Sequence, residues 1–228
     1  MRRRHLYKYF SEIEWAERFL YGDVLFRSLA YFRDYEDAEV RGDKNEGTSI
    51  YRPSGGLTIT NKTKGVSFTI PNSAFESSAN PKDIFVFCLS RSMTDQLKEK
   101  FKSVACVEIL DPGRFCSKIQ AALPDNAQFP TGRGRHQRIG QRVEYYDDTG
   151  SPNPRWALPD KIALAKSLDY AWQDEFRLVF SLTNAFEFQK VNTHLVIHNP
   201  SRPRDPSEHQ CHLVQAGSLH DICRLHKF

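Results

Sequence analysis

WQDEFRLVFS (172–181) is the stretch on which the reading of the chain turns. A polar lead-in, Gln173 and Asp174, runs into residues with strand periodicity. Phe176, Leu178 and Phe180 alternate, which predicts that they share one face of a strand. Glu175, Arg177, Val179 and Ser181 then share the other face. A carboxylate and a guanidinium at i and i+2 on the open face of a half-buried strand form either a site or a plain surface salt bridge. What else converges on that face decides between the two.

Upstream, Asp160–Tyr170 is expected as a short helix leading into this strand, Ser151–Pro159 as a Pro-rich loop and Ile139–Tyr146 as a strand. Residues 124–138 (PDNAQFPTGRGRHQR) have loop composition. Downstream, His194–His198 predicts a strand, residues 199–209 an exposed loop, Cys211–Gln215 a final strand, and Ser218 the cap of a terminal helical turn. The chain opens with a strand over His5–Phe10, with Leu6, Lys8 and Phe10 on one face and Tyr7 and Tyr9 on the other. Ser11 and Glu14 have capping-box spacing for a helix that buries Ile13, Ala16, Phe19 and Leu20 and ends at Gly22.

Asp23–Ser28 is a second strand, the segment LAYFRDYED (29–37) a helical turn, and the loop RGDKNEG (41–47) a turn with Asp43 and Glu46 exposed. Gly56–Asn61 and Gly65–Ile70 form a hairpin. Ile84–Ser90 is a continuous apolar run, as expected of a central strand buried on both faces. A charged helix over Thr94–Lys102 and a strand over Val104–Leu110 follow. Asp111 then caps a helix with Pro112 at its first position, running to about Leu123. The pattern is α+β: a mixed, mainly antiparallel sheet core with helices clustered toward the N-terminal half.

The 228 residues suit a single domain, 1–228, large enough to bury a sizeable core. With 39% hydrophobic residues and 12% aromatics the chain should fold. No apolar run is long enough to span a bilayer and no apolar signal core follows the basic start, so a cytoplasmic location and no membrane partner are expected. Five cysteines at 88, 106, 116, 211 and 223 include no CxxC pair, and no metal site is visible. Cys88 and Cys106 read as buried free thiols. The net charge of +4 is mild, but Arg2–Arg4, the set Arg133, Arg135, His136, Arg138 and Arg142, and Arg224, His226 and Lys227 form clusters suited to phosphate-bearing partners or to plain solvation. P-loop, dinucleotide-fingerprint, HExxH, GxSxG and EF-hand motifs are absent.

Three stretches offer partners for Glu175: LYKYF (6–10), VLFRSLAYFRD (24–34) and RGDKNEG (41–47). Singly, each has an ordinary reading as core packing or surface charge. In order, they give an opening strand, a helix, a strand leading into an aromatic turn, an acidic Gly-containing loop and a late strand entered through W-x-x-E-x-R. This resembles the ADP-ribosyltransferase fold, especially small bacterial toxin-like members from phage-defence and toxin–antitoxin systems. The resemblance spans most of the chain through short motifs.

It implies NAD as co-substrate, no metal, and three NAD-binding positions on separate strands. Glu175 matches the late Glu, and Tyr31 the middle Tyr or Ser, with Ser28 as competitor. Lys8 stands where the family has His or Arg, flanked by Tyr7 and Tyr9. Cleavage of the nicotinamide–ribose bond passes through an oxocarbenium-like transition state, which a carboxylate such as Glu175 stabilises. Tyr31 would stack on nicotinamide, Lys8, Tyr9, Arg27 and Ser28 would hold the dinucleotide, and Arg177 would keep Glu175 ionised. Arg133, Arg135 and Arg138, with Asp43 and Glu46, would meet the acceptor. The expected function is a mono-ADP-ribosyltransferase acting on nucleic acid, RNA above all, kept in check by an antitoxin protein. The alternatives are a protein acceptor, hydrolysis of NAD without an acceptor, or a non-catalytic nucleic-acid-binding module.

Overall fold

The computed structural model describes residues 5–34, 43, 45–131, 137–150, 157–197 and 210–228. It is a mixed α+β arrangement of mostly antiparallel sheets, assembled around the central strand expected over IFVFCLS. That strand, β7 (Phe85–Ser90), follows β1 (Leu6–Phe10), β2 (Asp23–Ser28), β3 (Thr48–Tyr51), β4 (Leu57–Asn61), β5 (Val66–Ile70) and β6 (Ser73–Ser78) in the chain. After it come β8 (Ala105–Ile109), β9 (Gly140–Arg142), β10 (Glu144–Tyr146), β11 (Ala165–Ser167), β12 (Glu175–Phe180), β13 (Asn192–Ile197), β14 (Cys211–Gln215) and β15 (Cys223–Lys227). The main sheet runs β14-β2-β7-β1-β8-β15, and β12 pairs along β7 and carries β9 on its far edge.

Five α-helices are described: α1 (Ile13–Leu20), α2 (Leu29–Asp34), α3 (Asp95–Lys100), α4 (Pro112–Ala121) and α5 (Pro159–Ile162). They are spread along the chain rather than clustered toward its N-terminal half. The apolar faces of α1 and α4 supply Ala16, Phe19, Phe115 and Ile119 to the main core, where they meet Phe26, Phe87, Leu178 and Phe180 from the sheet. Leu29, Ile84, Val86, Ile162 and Val179 form a second cluster.

Local signals for helix starts have mixed success. Asp111 caps α4 by accepting from the Arg114 N–H at 3.1 Å, with Pro112 first in the helix, and Thr94 caps α3 through the Leu97 N–H at 3.2 Å. At α1 the capping box does not form: Glu12 is the extended N-cap residue, and its side chain makes no cap bond. Gly22 lies just past that helix with φ +108°, and a Cβ there would meet the Gly217 carbonyl oxygen at 2.3 Å, so glycine is required twice over.

Three segments correct the sequence reading. Residues 139–146 are two strands: β9 pairs β12 and β10 pairs β11, with the change of partner at Val143, whose N–H donates to the Glu175 carbonyl. The helix expected over 160–170 stops at Ile162, and the chain then enters β11 and a 3₁₀ segment, Leu168–Gln173. The terminal helical turn is instead followed by β15, an antiparallel partner of β8.

Candidate functional site

β1 and β2 both lie along one edge of β7 but touch it at opposite ends. Tyr7 of β1 is in register with Ser90, whereas Arg27 and Ser28 of β2 are in register with Val86 and Phe85. Alternate residues address one edge of an antiparallel strand. Val86 meets β2, Ser90 meets β1, and Cys88 between them is in register with neither. The strands splay apart there, leaving a cleft of about 540 Å³, a size suited to a small-molecule ligand. The Lys8 ammonium spans the gap: it donates to the Cys88 carbonyl at 2.9 Å and lies 4.3 Å from the centre of the Phe87 ring. Cys88, expected to be buried, is partly exposed here, whereas Cys106 is buried as expected.

The floor of the cleft is a set of four buried charges. The Arg177 guanidinium, 1% exposed, donates from Nε to Glu175 Oε1 at 2.7 Å. Its Nη1 and Nη2 donate to the two oxygens of Glu46 at 2.6 and 2.8 Å, and Nη1 also reaches the Ala163 carbonyl at 2.9 Å. Lys166 donates to Gln173 Oε1 at 2.8 Å and to Glu175 Oε2 at 3.3 Å, and lies 3.9 Å from Glu46. Burial alone would push the Glu175 carboxyl up, but the Arg177 and Lys166 cations outweigh it and hold that group well below the usual carboxylate range. Burial likewise opposes the charge on Lys166, yet Glu175 and Glu46 raise its pKa above the ordinary value. The backbone fixes the acid too, since the Glu175 N–H donates to the Tyr145 hydroxyl at 2.8 Å.

The residues singled out from the sequence separate into three groups. Lys8, Tyr9, Arg27, Tyr31, Glu46, Glu175 and Arg177 all line the one cleft. Arg27 stacks its guanidinium 4.6 Å from the Tyr31 ring centre. Tyr9 forms the wall and is occupied structurally: its hydroxyl donates to the Ser92 carbonyl and accepts from the Thr94 N–H, and its ring tilts against Phe101.

A second group is placed differently from the expectation. Ser28 is fully buried beneath the start of α2, outside the cleft, because β2 must bury it to turn into the helix. Asp43 and Glu46, expected on an exposed turn, are 3% and 2% exposed. Asp43 accepts from the Asn45 N–H at 2.9 Å and its carbonyl from the Glu46 N–H at 2.8 Å, folding Glu46 inward onto Arg177. Neither presents itself to an acceptor at the surface. Glu175 itself is 5% exposed, so the strand face that carries it is closed over rather than open. Arg138 is exposed and away from the cleft.

Arg133 and Arg135 fall in the third group, outside the described residues, as do Arg2–Arg4.

Two contributors were not foreseen. Lys166 sits where a helix was expected, so its direction was not readable; the only sign was a lysine directly after the apolar run Ile162–Ala165. Ser90 shares one register row with Tyr7 and Glu175, and its hydroxyl donates to the Gln173 carbonyl at 2.9 Å. It is the only hydroxyl-bearing residue in IFVFCLS.

Among the described residues, five cations and three acids line the cleft. The floor is balanced, Arg18 pairs with Asp23 at 2.9 Å, and Lys8 and Arg27 stand on opposite walls. Among the described residues no cluster of His, Cys, Asp or Glu could hold a metal ion, and no helix is long and apolar enough to cross a membrane. No protein-family model, curated protein or solved structure matches this chain.

Proposed function

We propose that this protein is an NAD-dependent mono-ADP-ribosyltransferase of toxin-like action whose acceptor is nucleic acid, RNA in the first instance. The observation that carries the reading is the charge layout of the splayed cleft. Two cations, Lys8 and Arg27, stand on its walls above a floor that holds the Glu46 and Glu175 carboxylates. A dinucleotide has the matching polarity: a dianionic pyrophosphate and, at one end, a cationic nicotinamide joined to the ribose that reacts.

In this reading Lys8 and Arg27 contact the pyrophosphate by charge-assisted hydrogen bonds. Tyr31, already faced by Arg27, lends its ring to the nicotinamide. Glu175 is ionised and held from behind. Its Oε1 is taken by Arg177 at 2.7 Å, whereas Oε2 makes longer contacts of 3.3 and 3.4 Å to Lys166 and Arg177. Oε2 is therefore the atom with capacity to accept from a ribose hydroxyl and to favour positive charge developing on the sugar. The glycosidic bond breaks, nicotinamide leaves with the bonding pair, and the acceptor's nucleophile bonds to the anomeric carbon and gives up its proton.

The test is incubation of the purified protein with labelled NAD and, separately, RNA, DNA and protein. Transfer to RNA is expected, and Glu175→Gln should lower it by at least about 100-fold. Intact NAD with no labelled macromolecule would remove the enzymatic reading. One observation favours a second reading, a non-catalytic nucleic-acid-binding module. Every charge of the floor already has a partner within the protein, as in a purely structural network. Nucleic-acid binding with no thermal shift on adding NAD would select it.

A further inference from the structure

The β4–β5 hairpin has a construction unlike the rest of the molecule. Its residues from Thr58 to Thr69 are all exposed, so both faces of this two-stranded ribbon meet solvent. One face is a ladder of hydroxyls, with Thr58 paired to Thr69 and Thr60 to Ser67, each at 2.9 Å. The other carries Ile59 opposite Phe68, with Val66 beyond, the three being 40%, 54% and 57% exposed. The tip is rigid: the Asn61 side chain accepts from the N–H groups of Thr63 and Lys64 at 3.1 Å, and Gly65 closes the turn at φ +63°. Lys62 and Lys64 therefore project from a fixed end. At its base the Leu57 N–H donates to the Ser73 hydroxyl, which ties the ribbon to β6.

The charge around it is one-sided. Between Glu46 and Glu76 the chain contains no acid, and Lys62 and Lys64 stand at the tip, while Arg52 toward the base lies 3.9 Å from Asp148. A protein face with an exposed aromatic, hydroxyl donors and unopposed cations on a rigid ribbon matches a polyanion that also offers flat rings. We propose that the β4–β5 ribbon docks single-stranded nucleic acid, with Lys62 and Lys64 on phosphates and Phe68 stacked on a base. This deepens the acceptor half of the function proposed above and does not depend on its chemistry.

Competing occupants fit less well. Three apolar side chains fall far short of the roughly 800 Å² per partner of a stable dimer. Two lysines at about 1 kcal/mol each, with so small an apolar wedge, do not anchor a protein to an anionic membrane. Stacking on an aromatic, by contrast, is worth about 1–3 kcal/mol for each base.

The experiment uses the full chain and a fluorescently labelled single-stranded RNA oligonucleotide of mixed sequence, followed by anisotropy at several salt concentrations. Lys62→Glu with Lys64→Glu should weaken binding about tenfold or more and flatten the slope of log affinity against log salt by roughly 1.4, the value for two phosphate contacts on a single strand. Phe68→Ser should weaken it about tenfold without changing that slope. Circular dichroism and the urea midpoint of the lysine variant should match the wild type. RNA binding by the lysine variant that equals wild type overturns the proposal. So does a selective loss of binding to phosphatidylserine vesicles, which would assign the ribbon to a membrane, or a change from dimer to monomer in Phe68→Ser, which would assign it to a second copy. Nicotinamide release from NAD without RNA reports on the cleft separately, so failure of the ribbon and failure of the enzymatic reading are distinguishable.

Discussion

Two glutamates of the main sheet are each ringed by basic side chains, yet they live under different rules. Glu175, at the floor of the cleft, is held by an arginine and a lysine, all three nearly inaccessible to water. Glu108, on β8, is held by His5 at 2.7 Å and His226 at 3.0 Å, with the Tyr7 hydroxyl at 3.3 Å and Arg224 at 3.8 Å. Its histidine partners are 34% and 27% exposed at their side chains. The floor is thus a closed set of opposed charges in which removing one member strands the others. The outer group clamps β1, β8 and β15 together in reach of solvent, where water replaces any lost partner. Burial, not the number of contacts, decides what each glutamate's neighbourhood is worth.

That contrast is broken most strongly at Arg177. Arg177→Met leaves Glu46 and Glu175 facing each other with only Lys166 to neutralise them, and should cost about 3–5 kcal/mol by urea unfolding. A loss below about 1 kcal/mol would mean that water reaches the floor and that it is no different from the outer clamp.

Asp43 sharpens the contrast next. Burial, then the nearby Glu46 charge, push its carboxyl up to about 6, against the Asn45 N–H, Lys166 and Arg177. A raised carboxylate pKa means that the folded state binds the proton more tightly than the unfolded one. The resulting stability is full below the unfolded value of about 3.9 and is lost as pH rises through about 6. Asp43→Asn, which retains an oxygen for the Asn45 N–H, should therefore stabilise the protein by about 1–3 kcal/mol at pH ~8 and much less at pH ~4. Equal effects at both values would show that the charge on Asp43 does not oppose folding.

The smallest effect belongs to the outer clamp. Burial works to raise the Glu108 pKa, but hydrogen bonds from His5 and His226 outweigh it and lower the value. With the folded pKa below the unfolded one, the contribution is present above about pH 4.3 and vanishes as pH falls through the folded value. Glu108→Gln should cost at most about 1 kcal/mol at neutral pH and bring the variant and wild-type unfolding curves together in acid. A constant gap between the two curves across the acid range would contradict this sign.

Much of this molecule was readable from local pattern. The unbroken apolar run IFVFCLS announced a central strand, and the alternation of Phe176, Leu178 and Phe180 predicted the face that joins the main core. Pro112 after Asp111 marked the start of α4 to the residue. These signals are local because a strand's period and a helix's cap depend only on near neighbours in the chain. The misreadings are of another kind. Nothing in IALAKSLDY says that Lys166 leaves a helical course to join β10 in parallel, because the partner that stabilises β11 lies about twenty residues away in the chain. RGDKNEG has every mark of a solvated turn, and only the Arg177 guanidinium, far away in sequence, draws Glu46 into the interior. The direction of Ser28 followed in the same way from the turn into α2 rather than from its own chemistry.

The amino-acid order alone thus determined which residues alternate, where the central strand runs, and that an acid and a guanidinium stand side by side on β12. Tertiary structure alone decided that β1 and β2 part along β7 to open a cleft, and that Glu46 and Lys166 complete the floor beneath it. The physical reason is that periodicity is set by backbone geometry over a few residues. A buried charge, by contrast, is tolerated only where opposite charges from distant segments arrive together, and that depends on the whole fold.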